Sequence, residues 1–190
     1  MPPKVKVTKE EMVDCAVSLV RSSGVGALNA RALATALGCS TQPIFSNFSG
    51  MEALKLAVAD RAVALFNEFT QKEIASGKYP PYKATGMAYI RFATEEPRLF
   101  SALFLRARTE AEQLTANEDW RTACARVAEQ TGLPLSQAEL FQLEMWSCVH
   151  GIATMQVSGY LSLSEAQISD MLSDLYLGLC SRFEERKDQR

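Results

Sequence analysis

The sequence predicts an all-α protein, with an N-terminal three-helix helix-turn-helix domain in residues 1–50 and a larger helical domain in residues 51–190, about nine helices in total. Apolar residues recur at intervals of three and four along nearly the whole chain, which is the period of a helix with one buried face. No segment alternates apolar and polar residues as a half-buried strand does. Glycine, proline and capping residues divide this pattern into separate helices.

The first predicted helix covers residues 8–23. Thr8 and Glu11 form a capping box, in which each side chain accepts a hydrogen bond from the backbone amide of the other residue. Gly24 can take the left-handed conformation that ends a helix. The apolar face consists of Met12, Cys15, Ala16, Leu19 and Val20.

Two short helices are predicted next, with almost no linker between them. Asn29 caps the first of the two, and Gly38 ends it. Ser40 caps the other, and Pro43 lies in its first turn, where a missing amide hydrogen removes no intrahelical bond. A longer packing helix followed by two short helices joined at a glycine is the outline of a helix-turn-helix.

Six further helices are predicted in the larger domain. The pair Ser76-Gly77 ends the first, Pro80 and Pro81 separate it from the second, and Pro97 suits the start of the third. The predicted ranges are 51–75, 82–95, 97–105, 117–130, 136–159 and 164–185.

Charge is distributed unevenly between the two predicted domains. Residues 1–55 hold six Lys or Arg and four acids, a net charge of +2, whereas residues 56–190 hold fourteen and eighteen, a net charge of −4. A basic head on an acidic body indicates that an anionic partner would meet the head.

Several classes of protein are disfavoured. The N-terminus has no apolar run that would serve as a signal peptide, and the charge-free stretch 145–164 is interrupted by polar residues, so we expect a cytoplasmic protein without a membrane partner. We expect no cofactor and no metal, because the cysteines are scattered and odd in number and should be free thiols. These are Cys15, Cys39, Cys124, Cys148 and Cys180.

Residues 29–54 resemble the DNA-binding signature of the tetracycline-repressor family. The family pattern places Thr and a basic residue before Ile/Leu-Ala, then Leu-Gly-Val-Ser, Leu-Tyr-x-His-Phe and Lys-x-x-Leu. The positions that match are Arg31, Leu33, Ala34, Leu37, Gly38, Ser40, Ile44, Phe45, Phe48 and Leu54. The resemblance covers about the first 60 residues. It implies a transcriptional regulator, expected to be a repressor, that binds a double-stranded DNA operator as a homodimer.

The candidate DNA contacts lie on the helix that begins at Ser40, since the N-terminal turn of a recognition helix enters the major groove. We expect Thr41 and Gln42 to contact bases, because glutamine can form two hydrogen bonds with adenine. Arg31 is expected to clamp a phosphate. The remaining candidates are Ser40 itself, Lys55, and, at the sugar–phosphate wall, Phe45, Ser46 and Asn47. The alternative is that these residues only solvate a surface helix.

Three positions depart from the family pattern. Phe45 stands in place of Tyr and lacks its hydroxyl, Asn47 stands in place of His, and Met51 removes the charge of a Lys. Contacts to phosphate should therefore be fewer, with Lys55 and the N-terminal residues Lys4, Lys6 and Lys9 as partial replacements. Binding is then expected to weaken less with salt, because the slope counts the phosphates neutralised.

A second resemblance lies in residues 146–151, Trp-Ser-Cys-Val-His-Gly, which are similar to the Trp-x-x-x-His-Gly ligand-domain subgroup of the same family. Trp146 and His150 are four apart and share a helical face. His150 is the one histidine of the chain, and it is either a contact for a small-molecule effector or a hydrogen-bonded packing residue, the interpretation that we favour.

The resemblance also implies a small-molecule effector in the larger domain. The candidate contacts are aromatic or apolar residues on helices that surround the family's cavity, together with the histidine: Phe66, Phe69, Tyr89, Phe92, Phe104, Trp120, Met145 and His150. Such a set is more often part of an ordinary core than the wall of a cavity. Arg91 is either an anchor for an acidic ligand or an exposed arginine.

A dimer interface is predicted at the last two helices. A helix without charges, as in residues 145–164, should be buried nearly all round. The resemblance implies that these helices form a four-helix bundle between two subunits, in which Gly151 and Gly159 let the backbones approach.

Two other functions compete with this interpretation. A helical enzyme is disfavoured, because Cys148 and His150 are two residues apart and face different sides of a helix, and no phosphate loop or metal motif is present. A thiol-redox-switched regulator acting through Cys39 or Cys148 stays open, since a thiol next to a helix N-terminus is favoured as thiolate.

Overall fold

The structure is a computed structural model that describes residues 7–108 and 110–188. Over these residues it contains α-helices, one 3₁₀ turn at Val25–Ala27 and no strand, which confirms the all-α prediction. No helix in the described ranges is long and apolar enough to cross a bilayer. The helices are α1 (Lys9–Ser23), α2 (Ala30–Ala36), α3 (Gln42–Asn47), α4 (Met51–Ala75), α5 (Pro81–Glu95), α6 (Pro97–Phe104), α7 (Glu110–Thr131), α8 (Leu135–Val157) and α9 (Glu165–Asp188).

Helix α1 begins at the predicted capping box. The amide of Thr8 donates to Oε2 of Glu11 at 2.7 Å, and the amide of Glu11 donates to Oγ1 of Thr8 at 3.1 Å. Gly24 follows the last turn with a φ of 79°, and its amide donates to the carbonyl of Val20 at 2.7 Å. Both ends of this helix are therefore set by local sequence.

The start of α3 differs from the prediction. Asn29 caps α2 as expected, accepting from the amide of Ala32 at 2.9 Å, but Ser40 is not the cap of α3. The helix begins at Gln42, because Pro43 has no amide to donate and the first amides that bond are those of Ile44 and Phe45, both to the carbonyl of Thr41.

Helix α7 begins at Glu110, about two turns before the predicted start at residue 117. The first turns hold exposed polar residues, including Glu110 and Gln113, so they lack the apolar period that the prediction relied on. Acidic residues in a first turn stabilise a helix through its dipole. The other helices begin and end within about three residues of the predicted bounds.

The chain divides into two compact units, each with its own buried residues. The first is Met1–Gln71 with Glu95–Arg106, and the second is Lys72–Thr94 with Ala107–Arg190. The first unit thus holds α1, α2, α3, α6 and most of α4. Its fully buried side chains include Met12, Leu33, Ile44, Leu54, Leu99 and Phe100.

The second unit holds α5, α7, α8 and α9. One hydrophobic cluster in it is formed by Val127, Leu133, Ala138, Phe141, Met145, Leu179 and Phe183. Helix α5 packs closely at Gly86, where an added Cβ would lie 3.3 Å from Cγ2 of Val149 and 3.4 Å from Cδ1 of Leu172.

Candidate nucleic-acid interface

Helices α2 and α3 each bury one face and expose the other. Leu33 and Ala34 of α2 and Ile44 of α3 are buried, which holds both helices against the core of the first unit. Gly38, with a φ of 64°, makes the turn between them in a conformation that favours glycine. The first unit therefore presents a short exposed helix directly after a tight turn.

The predicted DNA contacts lie mostly on the exposed side. Thr41 and Lys55 are half-buried, whereas the other predicted contacts are exposed: Arg31, Ser40, Gln42, Phe45, Ser46 and Asn47. All of these positions lie in the first unit.

Two of the polar side chains of α3 bond to their own helix. Oγ of Ser46 donates to the carbonyl of Gln42 at 3.0 Å, and Nδ2 of Asn47 donates to the carbonyl of Pro43 at 2.8 Å. These bonds hold the side chains in place along the helix and use one donor of each. Gln42, at the first position of α3, is exposed.

The aromatic residues of this segment differ in exposure. Phe48 is buried, and Nζ of Lys9 lies 5.1 Å from the centre of its ring, a cation–π contact that joins the start of α1 to the end of α3. Phe45 is 53% exposed. The sequence had not predicted a structural contact for Lys9.

The basic residues proposed to replace missing phosphate contacts have different surroundings. Nζ of Lys55 pairs with Oε1 of Glu52 at 2.8 Å, so a carboxylate already offsets its charge. Lys9 lies against Phe48 as described above. Lys4 and Lys6 lie outside the described residues.

The predicted ligand contacts are divided between the two units. Phe66, Phe69 and Phe104 belong to the first unit, where the rings of Phe66 and Phe104 meet edge to face at 5.3 Å. Phe100, which is fully buried, lies 5.1 Å from Phe104. In this unit the aromatic residues pack on one another.

Within the second unit the structure joins Tyr89, Trp146 and His150. The hydroxyl of Tyr89 lies 2.9 Å from Nδ1 of His150, the rings of Tyr89 and Trp146 meet edge to face at 4.7 Å, and Trp146 stacks on His150 at 6.2 Å. Tyr89 lies on α5 and the other two on α8, so this cluster ties two helices together. The sequence predicted that Trp146 and His150 share a helical face, but it did not predict that Tyr89 contacts them.

Burial shapes the acid–base behaviour of this cluster. Burial, and to a lesser degree the positive charge of Arg108, hold the pKa of His150 below its usual value, so the ring is neutral at pH 7. Burial raises the pKa of the Tyr89 hydroxyl, which stays protonated. In either neutral tautomer of His150, one of the two groups donates and the other accepts.

The remaining candidates in the second unit have different surroundings. Phe92 is buried on α5, Met145 lies in the hydrophobic cluster, and Trp120 is half-buried on α7. Nη1 of Arg91 pairs with Oε2 of Glu73 at 2.7 Å, and Glu73 is buried. Arg91 is thus exposed and holds a carboxylate of its own chain.

All five cysteines are free thiols. Burial raises the pKa of Cys15, Cys124 and Cys148, which lowers the fraction of reactive thiolate. Cys39 is half-buried, and its amide donates to the carbonyl of Ala34 at 3.0 Å. Among the described residues no group of three histidines, cysteines or acids is placed to hold a metal ion.

Comparison with known proteins gives consistent results. Residues 82–177 match the model of the tetracyclin repressor-like C-terminal domain. The chain is 24% identical over 190 aligned positions to the uncharacterized HTH-type transcriptional regulator Rv0681 of Mycobacterium tuberculosis, an alignment that covers 95% of this chain and 84% of the relative.

Two solved structures have the same fold. A protein with unknown function from Rhodococcus sp. RHA1 superposes with a TM-score of 0.72 at 20% identity, covering 89% of this chain and 93% of the other. MexZ, described as a key repressor responsible for antibiotic resistance in Pseudomonas aeruginosa, superposes with a TM-score of 0.62 at 18% identity, covering 90% and 94%. At these identities the structures show a shared fold alone.

Proposed function

The chain belongs to the tetracycline-repressor family of DNA-binding transcriptional regulators, and on this premise we propose that it is a cytoplasmic repressor that binds a palindromic operator as a homodimer and is released by a small molecule. The observation that carries the proposal is the short exposed helix α3, placed directly after a tight turn on a compact N-terminal unit. In this proposal residues 1–50 form the DNA-binding domain, with one further contact from Lys55, and residues 51–190 form the domain that binds the effector and makes the dimer.

We propose different roles in DNA binding for the candidate residues. Thr41 and Gln42, at the start of α3, are the proposed contacts to base edges when the helix enters the major groove. Arg31, exposed in the first turn of α2, is the proposed phosphate clamp. The other contacts proposed are Ser40, Phe45, Ser46, Asn47 and Lys55.

The proposed dimer interface lies on α8 and α9. Leu140, Leu143 and Gly151 fall on one stripe of α8, and Leu143 is 50% exposed. On α9, Leu177 is 64% exposed. Large apolar side chains exposed on two neighbouring helices support an interface with a second subunit, because burying them there removes them from water.

The proposed release mechanism uses α4. This helix begins next to α3 and belongs to the first unit through Gln71 and to the second from Lys72. Two recognition helices must lie about 34–36 Å apart to reach successive major grooves. An effector that contacts the Phe66 part of α4 would change that separation. The other effector contacts proposed in the first unit are Phe69 and Phe104. A separate set is proposed in the second unit: Tyr89, Phe92, Trp120, Met145 and His150.

Selection of binding sites from a random DNA duplex library, with the full-length protein, tests the proposal. We expect an enriched palindrome that the protein binds as a dimer, with an affinity that falls as salt rises.

A thermal-shift screen of small apolar metabolites then identifies effectors. Calorimetric titration of an effector with and without operator should give affinities that differ by about 1–3 kcal/mol, because coupling between two sites is reciprocal. Equal affinities would exclude release by that effector, and absence of any enriched sequence would exclude the operator.

A further inference from the structure

We propose that Phe45 is a specificity-determining residue that recognises the C5-methyl group of thymine in the operator. The inference rests on the proposed function, because it takes α3 as the helix that enters the major groove. It differs from the expectation drawn from the sequence, which placed Phe45 at the sugar–phosphate wall.

Phe45 differs in exposure from the other large apolar side chains of this segment. Ile44 and Phe48 are both buried, whereas the ring of Phe45 is 53% exposed. A single exposed apolar residue is common on protein surfaces. Whether the exposure of Phe45 indicates a contact with DNA therefore depends on its position on α3.

Phe45 lies three residues after Gln42, and both residues are exposed on the six-residue helix α3. Residues three apart are neighbours on a helix surface. A docking geometry that brings Gln42 to the base edges on the floor of the groove therefore brings the ring of Phe45 to the base edges as well, one turn further along.

The chemistry of the ring then selects the partner. Phenylalanine has no hydroxyl, so it cannot donate a hydrogen bond to a phosphate oxygen as tyrosine can. In the major groove, thymine presents a C5-methyl group beside its O4 acceptor, whereas the other three bases present hydrogen-bonding groups and no methyl group. Contact between a phenylalanine ring and the thymine methyl removes apolar surface of both from water.

Deoxyuridine substitution tests this proposal, because it removes the methyl group and leaves the pairing edge of the base unchanged. After selection of the operator, each symmetric pair of thymines is replaced in turn, and binding of the wild-type protein is compared with that of Phe45→Ala. At one position in each half-site we expect the wild type to bind about four-fold more weakly per methyl group lost, the factor that corresponds to one buried carbon. Phe45→Ala should bind both duplexes equally.

Two further variants serve as controls. Phe45→Tyr retains the ring and should retain the discrimination between thymine and uracil. Val63→Ala truncates another exposed apolar residue of the first unit, on α4, and should behave as the wild type. Thermal unfolding of Phe45→Ala checks its fold, which an exposed side chain should leave intact.

The outcomes separate this inference from the proposed function. If an operator is enriched but no thymine shows a methyl effect that depends on Phe45, the ring does not read thymine and the inference is wrong, while the repressor proposal stands. If Phe45→Ala binds all duplexes more weakly by the same factor, the ring contacts the sugar–phosphate wall and the inference is likewise wrong. If no operator is enriched, the proposed function is wrong and the inference fails with it.

Discussion

The hydroxyl of Tyr89 lies 2.9 Å from Nδ1 of His150, and this contact joins α5 to α8 inside the second unit. Trp146 stacks on the imidazole from one turn earlier on α8. The arrangement gives the histidine a defined partner in the fold. Because burial lowers the pKa of this histidine, the stability of the fold should depend on pH.

We expect stability to fall as the pH decreases through the histidine range. Burial and the charge of Arg108 hold the folded-state pKa of His150 below its usual value of 6.5. The unfolded chain therefore takes up a proton first, and the contribution of the neutral histidine is complete above about pH 6.5 and is lost as the pH falls toward the folded pKa. The measurement is urea unfolding at about pH 7.5 and about pH 5.5, on either side of the ordinary histidine pKa.

His150→Gln is the control for this prediction. The chain has one histidine, so the variant removes the side chain whose ordinary pKa lies in this range while the acids that titrate lower are retained. The variant should lose less stability between the two pH values than the wild type does. An equal loss in both proteins would mean that His150 is not responsible.

Replacing Gln42 and Arg31 should weaken DNA binding in different ways. Gln42→Ala should change base preference, with a loss of about 1–3 kcal/mol at one base pair, because a bidentate contact to adenine discriminates between bases. Arg31→Ala should weaken binding to all sequences alike and reduce the salt slope by about one for each subunit, because one phosphate contact is lost. Binding to operator variants over a range of salt measures both effects, and identical profiles for the two variants would reject the division into base reader and phosphate clamp.

A charged residue at Gly151 should produce monomers. An added Cβ at Gly151 meets no atom within 4 Å in the subunit, so Gly151→Glu should fold, while the charge would be buried in the proposed α8–α9 interface. Light scattering should show a dimer for the wild type and a monomer for the variant, which should also lose operator binding. Gly26→Glu is a matched control, since an added Cβ there is also unobstructed and the residue lies in the first unit. A monomeric wild type would reject the interface and the palindromic operator together.

A large side chain at Gly86 should destabilise the second unit. An added Cβ already lies at 3.3 Å from Val149 and 3.4 Å from Leu172, so the remaining carbons of a leucine have no room. We expect Gly86→Leu to lower the free energy of unfolding by about 1–3 kcal/mol, as overpacking does. Urea denaturation measures this loss.

Gly86→Ala separates crowding from the removal of a glycine. Its single methyl group requires a small shift of the side-chain ends of Val149 and Leu172. The cost of that shift is offset because alanine is more favourable than glycine in a helix by about 1 kcal/mol. The free energy of unfolding should therefore stay close to that of the wild type. A Gly86→Leu protein as stable as Gly86→Ala would show that α5 can move away from its neighbours.

The sequence by itself determined the helices and the DNA-binding signature. The capping box at Thr8 and the bounds of α4, Met51–Ala75, follow from residues within a turn or two of each helix end. Interactions of this kind are local, so they can be recognised without knowledge of the fold. The N-cap of α3 is Thr41, one residue after the predicted Ser40, because the first amides of the helix donate to the carbonyl of Thr41 and no side chain caps it.

The tertiary structure decided which distant residues meet. Tyr89 and His150 are 61 residues apart, and Arg91 and Glu73 lie on different helices, so no local pattern relates them. The close approach at Gly86 likewise depends on how three helices pack, whereas the sequence had drawn attention to Gly151 and Gly159. The physical reason is that helical periodicity specifies which face of a helix is buried but not which face of another helix covers it.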